Sequence, residues 1–216
     1  MTIRRTFSST STSWASGRTS SHPTAWNHNL QFHPWILARM PSSCDRALDV
    51  GCGDGVLTQK LASRAHHVIG IDSSLDMIAL ARKAVLVENV DFIEGDFLNA
   101  PLHAQSFDFI VAVAVIHHMP LAAALTRMAD LLTGGGVLAV IGLARDQSPA
   151  DYAVSVLSVP VARIARLRRG WWQSPAPRID PVMNYAEIKM TASGLLPGVE
   201  VRRRLYFRYT LLWRKP

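Results

Sequence analysis

Three glycines and two carboxylates lie close together, directly after a short apolar stretch near residue 50. Gly51, Gly53 and Gly55 have the spacing GxGxG. Glycines at this spacing allow a tight turn and let a ligand lie against bare backbone. Asp49 precedes the turn and Asp54 lies within it. Because carboxylates repel phosphate, we expect the turn to bind a cationic ligand that has no phosphate group.

The residue that follows the turn argues against a dinucleotide-binding site. The dinucleotide fingerprint GxGxxG requires glycine or alanine where this chain has Val56. S-adenosylmethionine fits instead, because it has a sulfonium and an α-ammonium group and no phosphate. Asp72 follows Gly51 by 21 residues, the distance at which an acid binds ribose hydroxyls in nucleoside-binding α/β folds. Further along, Asp96 is expected to accept a hydrogen bond from the adenine amine, with Phe97 packing on the ring.

Apolar stretches of strand length alternate with segments of helical length, which indicates a parallel α/β sheet that positions these residues. The glycine turn joins the first strand to a helix, and Asp72 follows the second strand directly. Gly134-Gly135-Gly136 predict a helix C-cap and turn, and Asn184 predicts a helix N-cap. The predicted strands are 46–50, 68–71, 90–93, 107–115, 137–143, 200–206 and 207–214, and the predicted helices are 54–65, 72–86, 121–132 and 185–192.

Five segments together resemble the class I S-adenosylmethionine-dependent methyltransferases in order and spacing. The resemblance implies a Rossmann-like three-layer αβα sandwich with a seven-stranded, mostly parallel sheet. It further implies the strand order 3-2-1-4-5-7-6 with the last strand antiparallel, and S-adenosylmethionine as the cofactor. Thr133-Gly134-Gly135-Gly136 stands where the family usually has Lys/Arg-Pro-Gly-Gly, a change in a structural turn. The segments are LDVGCGDG (48–55), VIGIDSS (68–74), EGDF (94–97), SFDFIVAVAVIHHM (106–119) and LLTGGGVLAV (131–140).

The resemblance assigns cofactor-binding roles to residues at matching motif positions. It implies that the three glycines line the methionine part and that Asp49 meets the amino group. It also implies that Asp72 binds the ribose hydroxyls, and that Asp96 with Phe97 holds the adenine. The full predicted set is Asp49, Gly51, Cys52, Gly53, Gly55, Asp72, Ser73, Asp96, Phe97 and Val113.

Two adjacent histidines, His117 and His118, are the candidate catalytic residues. They follow the fourth strand at the carboxyl edge, where ligands bind in such sheets. Methyl transfer needs a general base only when the acceptor must lose a proton. His117 is the preferred base. The alternative is that one histidine packs against the cofactor and the other caps the next helix.

The net charge of +7 is unevenly distributed along the 216 residues. Residues 1–44 have a net charge of +4, residues 45–150 of −5, and residues 151–216 of +8. The acidic middle argues against a uniformly basic nucleic-acid binder. Two cysteines exclude a disulfide framework, and Cys44 and Cys52 lack zinc-ligand spacing, so we expect no metal site. The sequence contains no uninterrupted run of 18 or more apolar residues, so we expect no transmembrane helix.

The composition predicts one folded domain behind a polar tail. Residues 1–21 contain seven serines, five threonines, three arginines and no acid, so we expect a disordered tail. A transit peptide for an organelle is the alternative to a cytoplasmic location. Residues 22–216 are expected to form a single methyltransferase domain with its cofactor-binding core at 46–143. Segments 22–45 and 146–184 are expected to form the lid and acceptor site.

The expected function is methyl transfer to an O, N or C atom of a small-molecule acceptor. Only the two short lid segments lie outside the sheet unit to bind an acceptor. An RNA or protein methyltransferase that uses the basic C-terminal third is one alternative, and a non-catalytic nucleoside-binding module on the same fold is another. The basic run with Trp171-Trp172 favours a solvated surface over membrane docking, and no nucleic-acid module is evident. The sequence leaves a monomer and a homodimer open.

Overall fold

Each of the seven predicted strands corresponds to a strand of one seven-stranded sheet. The computed structural model describes residues 27–147, 156, 163, 180–205 and 207–216. The predicted tail at 1–21, most of the segment at 146–184 and Trp171-Trp172 lie outside these residues. The strands are β1 (Arg46–Val50), β2 (His67–Asp72), β3 (Val90–Glu94), β4 (Phe107–Val113), β5 (Leu132–Leu143), β6 (Glu200–Arg204) and β7 (Arg208–Arg214).

The sheet has the order β3-β2-β1-β4-β5-β7-β6, which confirms the predicted topology. The first five strands pair in parallel, whereas β7 is antiparallel to both β5 and β6. From β1 the chain adds β2 and β3 on one side, and it then adds β4 and β5 on the other side, so the strand order reverses between β1 and β4. Open α/β sheets bind ligands in the crevice at such a point. The carboxyl ends of β1, β2 and β4 therefore border the expected site.

Helices cover both faces of the sheet, as the predicted three-layer sandwich requires. On one face, side chains such as Leu48 and Ile110 pack in a core with α4 and α5. On the opposite face, Ala47 and Val111 pack with α1 and α2. The strands are apolar on both faces because both faces are covered. The helices are α1 (His33–Leu37), α2 (Val56–Ala62), α3 (Leu75–Ala84), α4 (Leu121–Leu131) and α5 (Tyr185–Leu195), with 3₁₀ turns at Leu30–Phe32 and Ile116–His118.

The glycine run after α4 differs from its prediction. The helix ends with Leu132 as an extended C-cap, so the predicted glycine cap was wrong. The glycines lie inside β5, where Gly135 has a φ of 79°. Phe107 pairs with Leu132 but Phe109 pairs with Val137, so the extra residues form an irregularity at the start of the strand. The turn therefore belongs to the sheet rather than to the helix.

Two predictions for the C-terminal part are confirmed. Asn184 caps α5 in a capping box with Glu187, in which each side chain accepts a hydrogen bond from the other's backbone N–H. The arginines of β6 divide between the faces of the sheet. Arg203 lies over the Tyr185 ring, 4.9 Å from its centroid, whereas Arg202 and Arg204 lie on the opposite face. Among the helices that the structure describes, none is long and apolar enough to span a membrane.

Candidate active site

The backbone N–H groups of the glycine loop after β1 donate three hydrogen bonds to the carboxyl end of β2. The N–H groups of Gly51 and Cys52 donate to the carbonyl oxygen of Ile71 over 2.7 and 3.0 Å. The N–H of Gly53 donates to Oδ2 of Asp72 over 3.0 Å. The Cys52 side chain is buried, and burial raises the pKa of its thiol. The loop and Asp72 therefore form one unit.

The three loop glycines share a left-handed conformation but have different surroundings. Their φ angles are 69° at Gly51, 55° at Gly53 and 79° at Gly55. A Cβ at Gly51 would lie 2.4 Å from Val115, and one at Gly55 would lie 2.9 Å from Val85. A Cβ at Gly53 would meet nothing within 4 Å. Of the three, Gly53 is the one that borders open space, and a ligand against the backbone needs such space.

Asp49 is a buried acid on β1 that faces α2. It is 2% exposed, and its Oδ2 accepts a 2.8 Å hydrogen bond from Thr58 Oγ1. Burial raises the pKa of Asp49 to about 7; the Thr58 hydrogen bond opposes the rise, and the charges of Asp72 and Asp54 add to it. Burial also raises the pKa of Asp54. This crowding of acids suits a cationic group, which would relieve their repulsion, and does not suit a phosphate.

Asp72 has a second structural role besides the contact with the loop. Its Oδ1 accepts a 2.9 Å hydrogen bond from the N–H of Ser74, the residue whose hydroxyl caps α3. Each carboxylate oxygen thus uses one of its lone pairs within the protein and has one left for a ligand hydroxyl. Ser73 is exposed between these two residues. The position fits the predicted ribose contact, which stays a prediction.

Asp96 and Phe97 lie beside Asp72 but face different surroundings. The N–H of Gly95 donates to the carbonyl of Asp72 over 2.9 Å, which joins the two strand ends. The exposed carboxylate of Asp96 accepts from Leu98 N and from Asn99 Nδ2. The Phe97 side chain is 4% exposed and lies in the core. A hydrogen bond from adenine to Asp96 and a ring contact with Phe97 both stay predictions.

A strained turn follows β4 and brings the histidines to the same edge. Val113 ends the strand, and Ala114 has a φ of 54°, a left-handed value that costs a residue with a side chain about 1–3 kcal/mol. The turn sets Val115 against Gly51. His117 and His118 then lie in the 3₁₀ turn with ring centroids 4.2 Å apart. Such strain is characteristic of functional sites.

The N-terminal segment also reaches this edge, through contacts that the sequence did not indicate. Arg208, the first residue of β7, donates to Oδ1 of Asn29. Lys60 Nζ lies 3.1 Å from Nδ1 of His33, and burial together with Lys60 lowers the pKa of His33 to about 3. The neutral ring therefore accepts this hydrogen bond, which joins α1 to α2. Ile36 packs in the core beneath.

Known proteins resemble the chain in the part that forms this site. A family model for a methyltransferase domain matches residues 47–136. An uncharacterised methyltransferase of Mycobacterium tuberculosis is 31% identical over 193 residues, which cover 88% of this chain and 98% of that protein. The chain belongs to the class I S-adenosylmethionine-dependent methyltransferases. S-adenosylmethionine is therefore the cofactor of this methyltransferase, as the sequence predicted.

Two other known proteins are also similar to the chain, one over a smaller share of its length and one at a lower sequence identity. A ubiquinone biosynthesis O-methyltransferase of Xanthomonas axonopodis is 32% identical over 137 residues, which cover 62% of this methyltransferase and 56% of that protein. A solved S-adenosylmethionine-dependent methyltransferase from Aquifex aeolicus has a TM-score of 0.59 at 16% identity, covering 85% of this chain and 89% of that one. The second similarity supports the fold.

The predicted site residues of this methyltransferase collect at one edge of the sheet. Asp49 lies next to the end of β1, Asp72 ends β2 and Asp96 follows β3, and the glycine loop lies among them. Sequence reasoning missed Thr58 and Val115, which hold Asp49 and Gly51 in place. Thr58 had a signal, because it is a polar residue on the otherwise apolar face of α2. Val115 had none, because its contact depends on the turn at Ala114.

Proposed function

We propose that the protein transfers the methyl group of S-adenosylmethionine to an O, N or C atom of a small-molecule acceptor. The observation that supports this best is that the N-terminal segment reaches the carboxyl edge of the sheet and is fastened there through Asn29 and Arg208. A short segment held over the cofactor edge leaves room for a small acceptor rather than an extended macromolecular surface. The likeness to a ubiquinone biosynthesis O-methyltransferase supports the same acceptor class.

The proposed cofactor site assigns one group to each part of the ligand. The buried carboxylate of Asp49 attracts the α-ammonium group, through the charge that it acquires on ionisation. The open space at Gly53 receives the methionine part against bare backbone. Asp72 accepts from the ribose hydroxyls with its remaining lone pairs, with Ser73 beside it, and Asp96 accepts from the adenine amine. Cys52 and Val113 supply apolar walls.

The chemistry that the bound cofactor supplies is an electrophilic methyl group on a sulfonium sulfur. In a direct displacement, the bond from the acceptor atom to the methyl carbon forms as the carbon–sulfur bond breaks. The protein's task is to align the acceptor and to exclude water. For a hydroxyl acceptor, His117 is the proposed base, because it follows β4 at the cofactor edge and is half-buried. The exposed His118 packs against its ring and orients it.

A transfer assay with a methyl-labelled cofactor tests this proposal. The purified protein is incubated with labelled S-adenosylmethionine and a cell extract, which is then separated into small-molecule, RNA and protein fractions. We expect label in the small-molecule fraction. The Asp72→Ala variant is the matched control, and we expect its transfer to fall at least about tenfold, because the ribose hydroxyls lose hydrogen bonds to a charged acceptor.

The other outcomes of this assay contradict separate parts of the proposal. Label only in RNA or protein would contradict the small acceptor, although the methyltransferase activity would stand. Cofactor binding by calorimetry without transfer to any fraction would favour a non-catalytic binding module. Equal transfer by Asp72→Ala and the parent would contradict the ribose assignment.

A further inference from the structure

A small cavity lies outside the cofactor site, where the last two strands meet the end of α1. Its volume is about 60 Å³, and arginines from two parts of the chain line it. A space of this size admits more than one water molecule and so has room for a small anion. The lining residues relevant here are Trp35, Arg39, Glu200, Arg202, Arg204 and Thr210.

The fold itself brings the arginines of this cavity together. Residues two apart on a strand point to the same face, so Arg202 and Arg204 of the edge strand β6 both face the cavity. Arg39 approaches from the opposite side, after α1. Its guanidinium lies 4.0 Å from the centroid of the Trp35 ring, and its Nη1 donates to the Trp35 carbonyl over 3.0 Å. Arg204 Nε donates to Thr210 Oγ1 over 3.2 Å.

Acids do not balance the positive charge at this cavity among the residues that the structure describes. Glu200 pairs with Arg202 over 2.9 Å, so one described carboxylate faces the three arginines of this cavity. Burial lowers the pKa of Arg39, the charges of Arg204 and Arg202 lower it further, and the charge of Glu200 partly opposes them. Its Nε is buried and has no hydrogen-bond partner. Two guanidinium groups are thus held in fixed positions with donors that an anion would satisfy.

We propose that this cavity is a binding site for a phosphate monoester, with Arg39 and Arg204 as its principal ligands. Guanidinium groups bind phosphate through paired N–H donors, which explains why two fixed arginines suit this oxyanion. A nucleic-acid surface is less well supported, because the third arginine of the run, Arg203, lies on the opposite face over Tyr185. The shared chemistry is the phosphate group, whether a free small molecule or a lipid headgroup bears it.

This site is separate from the proposed cofactor site. In the sheet order, β6 is separated from β4 by β5 and β7, so the cavity does not border the glycine loop. A variant at the cavity should therefore leave the affinity for S-adenosylmethionine unchanged. Cofactor affinity is measured in every variant below, which separates a failure of this site from a failure of the cofactor site.

Calorimetric titration of the full chain with inorganic phosphate at constant ionic strength tests the site. We expect saturable binding of one phosphate, and at least about a tenfold loss of affinity in Arg39→Gln/Arg204→Gln, because two charged hydrogen-bond donors are removed. The matched control, Lys83→Gln/Lys189→Gln, removes the same charge from exposed positions and should bind phosphate like the parent. The Arg39→Lys variant keeps the charge but loses the paired donors, so it should also bind phosphate more weakly.

Three outcomes would overturn the proposal. These are absence of saturable phosphate binding, equal loss in the lysine control, and equal binding of chloride and phosphate. If the double variant does not fold, unchanged phosphate affinity in Arg39→Lys would overturn it as well. Sedimentation with phosphatidylcholine vesicles, with and without phosphatidic acid, identifies the source of the phosphate. Arginine-dependent vesicle binding would assign a lipid headgroup, and phosphate binding without it would assign a free small molecule.

An RNA arm completes the test. RNA binding that depends on Arg39 and Arg204, in the absence of phosphate binding, would replace this proposal with a nucleic-acid surface. Such binding should fall steeply with salt, because each phosphate contact releases counterions.

Discussion

The three glycines of the cofactor loop illustrate how one residue type answers different requirements. All three have a left-handed φ, so each is favoured by conformation alone. Gly51 and Gly55 are also required by close protein neighbours, Val115 and Val85. Gly53 instead borders open space. Alanine substitutions at Gly51 and Gly53 can therefore separate an effect on stability from an effect on ligand affinity.

We predict that Gly53→Ala loses cofactor affinity while the protein remains folded. The left-handed backbone should cost about 1–2 kcal/mol of unfolding free energy. The new methyl group occupies the open space, so calorimetry should show at least about a tenfold weaker binding of S-adenosylmethionine.

Gly51→Ala is the matched control, because the backbone strain is similar. Its Cβ would lie 2.4 Å from Val115, so urea unfolding should show a loss about 1–3 kcal/mol larger than that of Gly53→Ala. Normal cofactor affinity in Gly53→Ala would contradict the assignment of the open space to the ligand.

The sequence allowed prediction of the candidate ligand-binding residues, but not of the residues that hold them in place. The spacing of Asp49, the glycines and Asp72 reflects local geometry at strand ends, which a single sequence displays. Thr58 and Val115 act through contacts made only after folding. The sequence also predicts a contact between Phe97 and adenine, which stays a prediction; the structure adds that this side chain packs in the core at 4% exposure. An aromatic residue after a strand has no feature in the sequence that distinguishes these two environments.

At the scale of elements, polar contacts add to the apolar packing of the N-terminal segment. One connection to β7 is the hydrogen bond from Arg208 to Asn29, and burial lowers the pKa of this arginine to about 10. Because the guanidinium is already partly desolvated, the loss of an acceptor costs more than it would at the surface. This contact is the proposed fastening of the acceptor lid.

We predict that Asn29→Ala loosens the segment around α1. The unfolding free energy should fall by about 1–3 kcal/mol, because Arg208 loses a charge-assisted hydrogen bond. Hydrogen exchange should accelerate in residues 27–37 and stay unchanged in β1. Gln31→Ala, which removes a 3.3 Å hydrogen bond to His28 within the segment, is the control and should have a smaller effect. Equal exchange in the parent and Asn29→Ala would contradict the fastening role.

Element types and order followed from the sequence, but some boundaries did not. Apolar runs of β-branched residues identify the strands because both faces of the sheet are buried. The glycines at 134–136 were misassigned to a helix cap, because glycine marks a left-handed residue without showing which element contains it. The end of β4 was placed at residue 115, whereas the left-handed Ala114 ends it at Val113. Tertiary contacts decide such boundaries.

At the scale of the whole molecule, charge is divided between two regions with opposite sign. The acids crowd at the carboxyl edge around the glycine loop, where a cationic cofactor is bound. The basic region lies on one face of the sheet beside the edge strand β6, and its arginines are Arg39, Arg202 and Arg204. The net charge of +7 therefore conceals an acidic site and a basic one. Clustered like charges cost stability, and ligands of opposite charge recover it.

The burial of Asp49 makes the stability of the whole fold depend on pH. Its pKa rises from 3.8 to about 7 on folding, so the folded protein holds a proton that the unfolded chain releases between these values. Stability is therefore lost as the pH rises from about 4 to about 7, by up to roughly 4 kcal/mol. Asparagine at this position does not titrate, and Asp49→Asn should lack that loss.

We predict that Asp49→Asn is more stable than the parent at pH 8 and that this advantage disappears near pH 4. Urea unfolding across that range measures the difference, and Asp130→Asn, the same substitution at an exposed position, serves as the control. The same variant should bind S-adenosylmethionine more weakly at pH 8, since it lacks the negative charge that attracts the ammonium group. If the difference in unfolding free energy between Asp49→Asn and the parent did not change between pH 4 and pH 8, Asp49 would be ionised over this whole range in the folded protein. Greater stability with weaker binding would instead show that the buried acid lowers the stability of the free protein and strengthens cofactor binding.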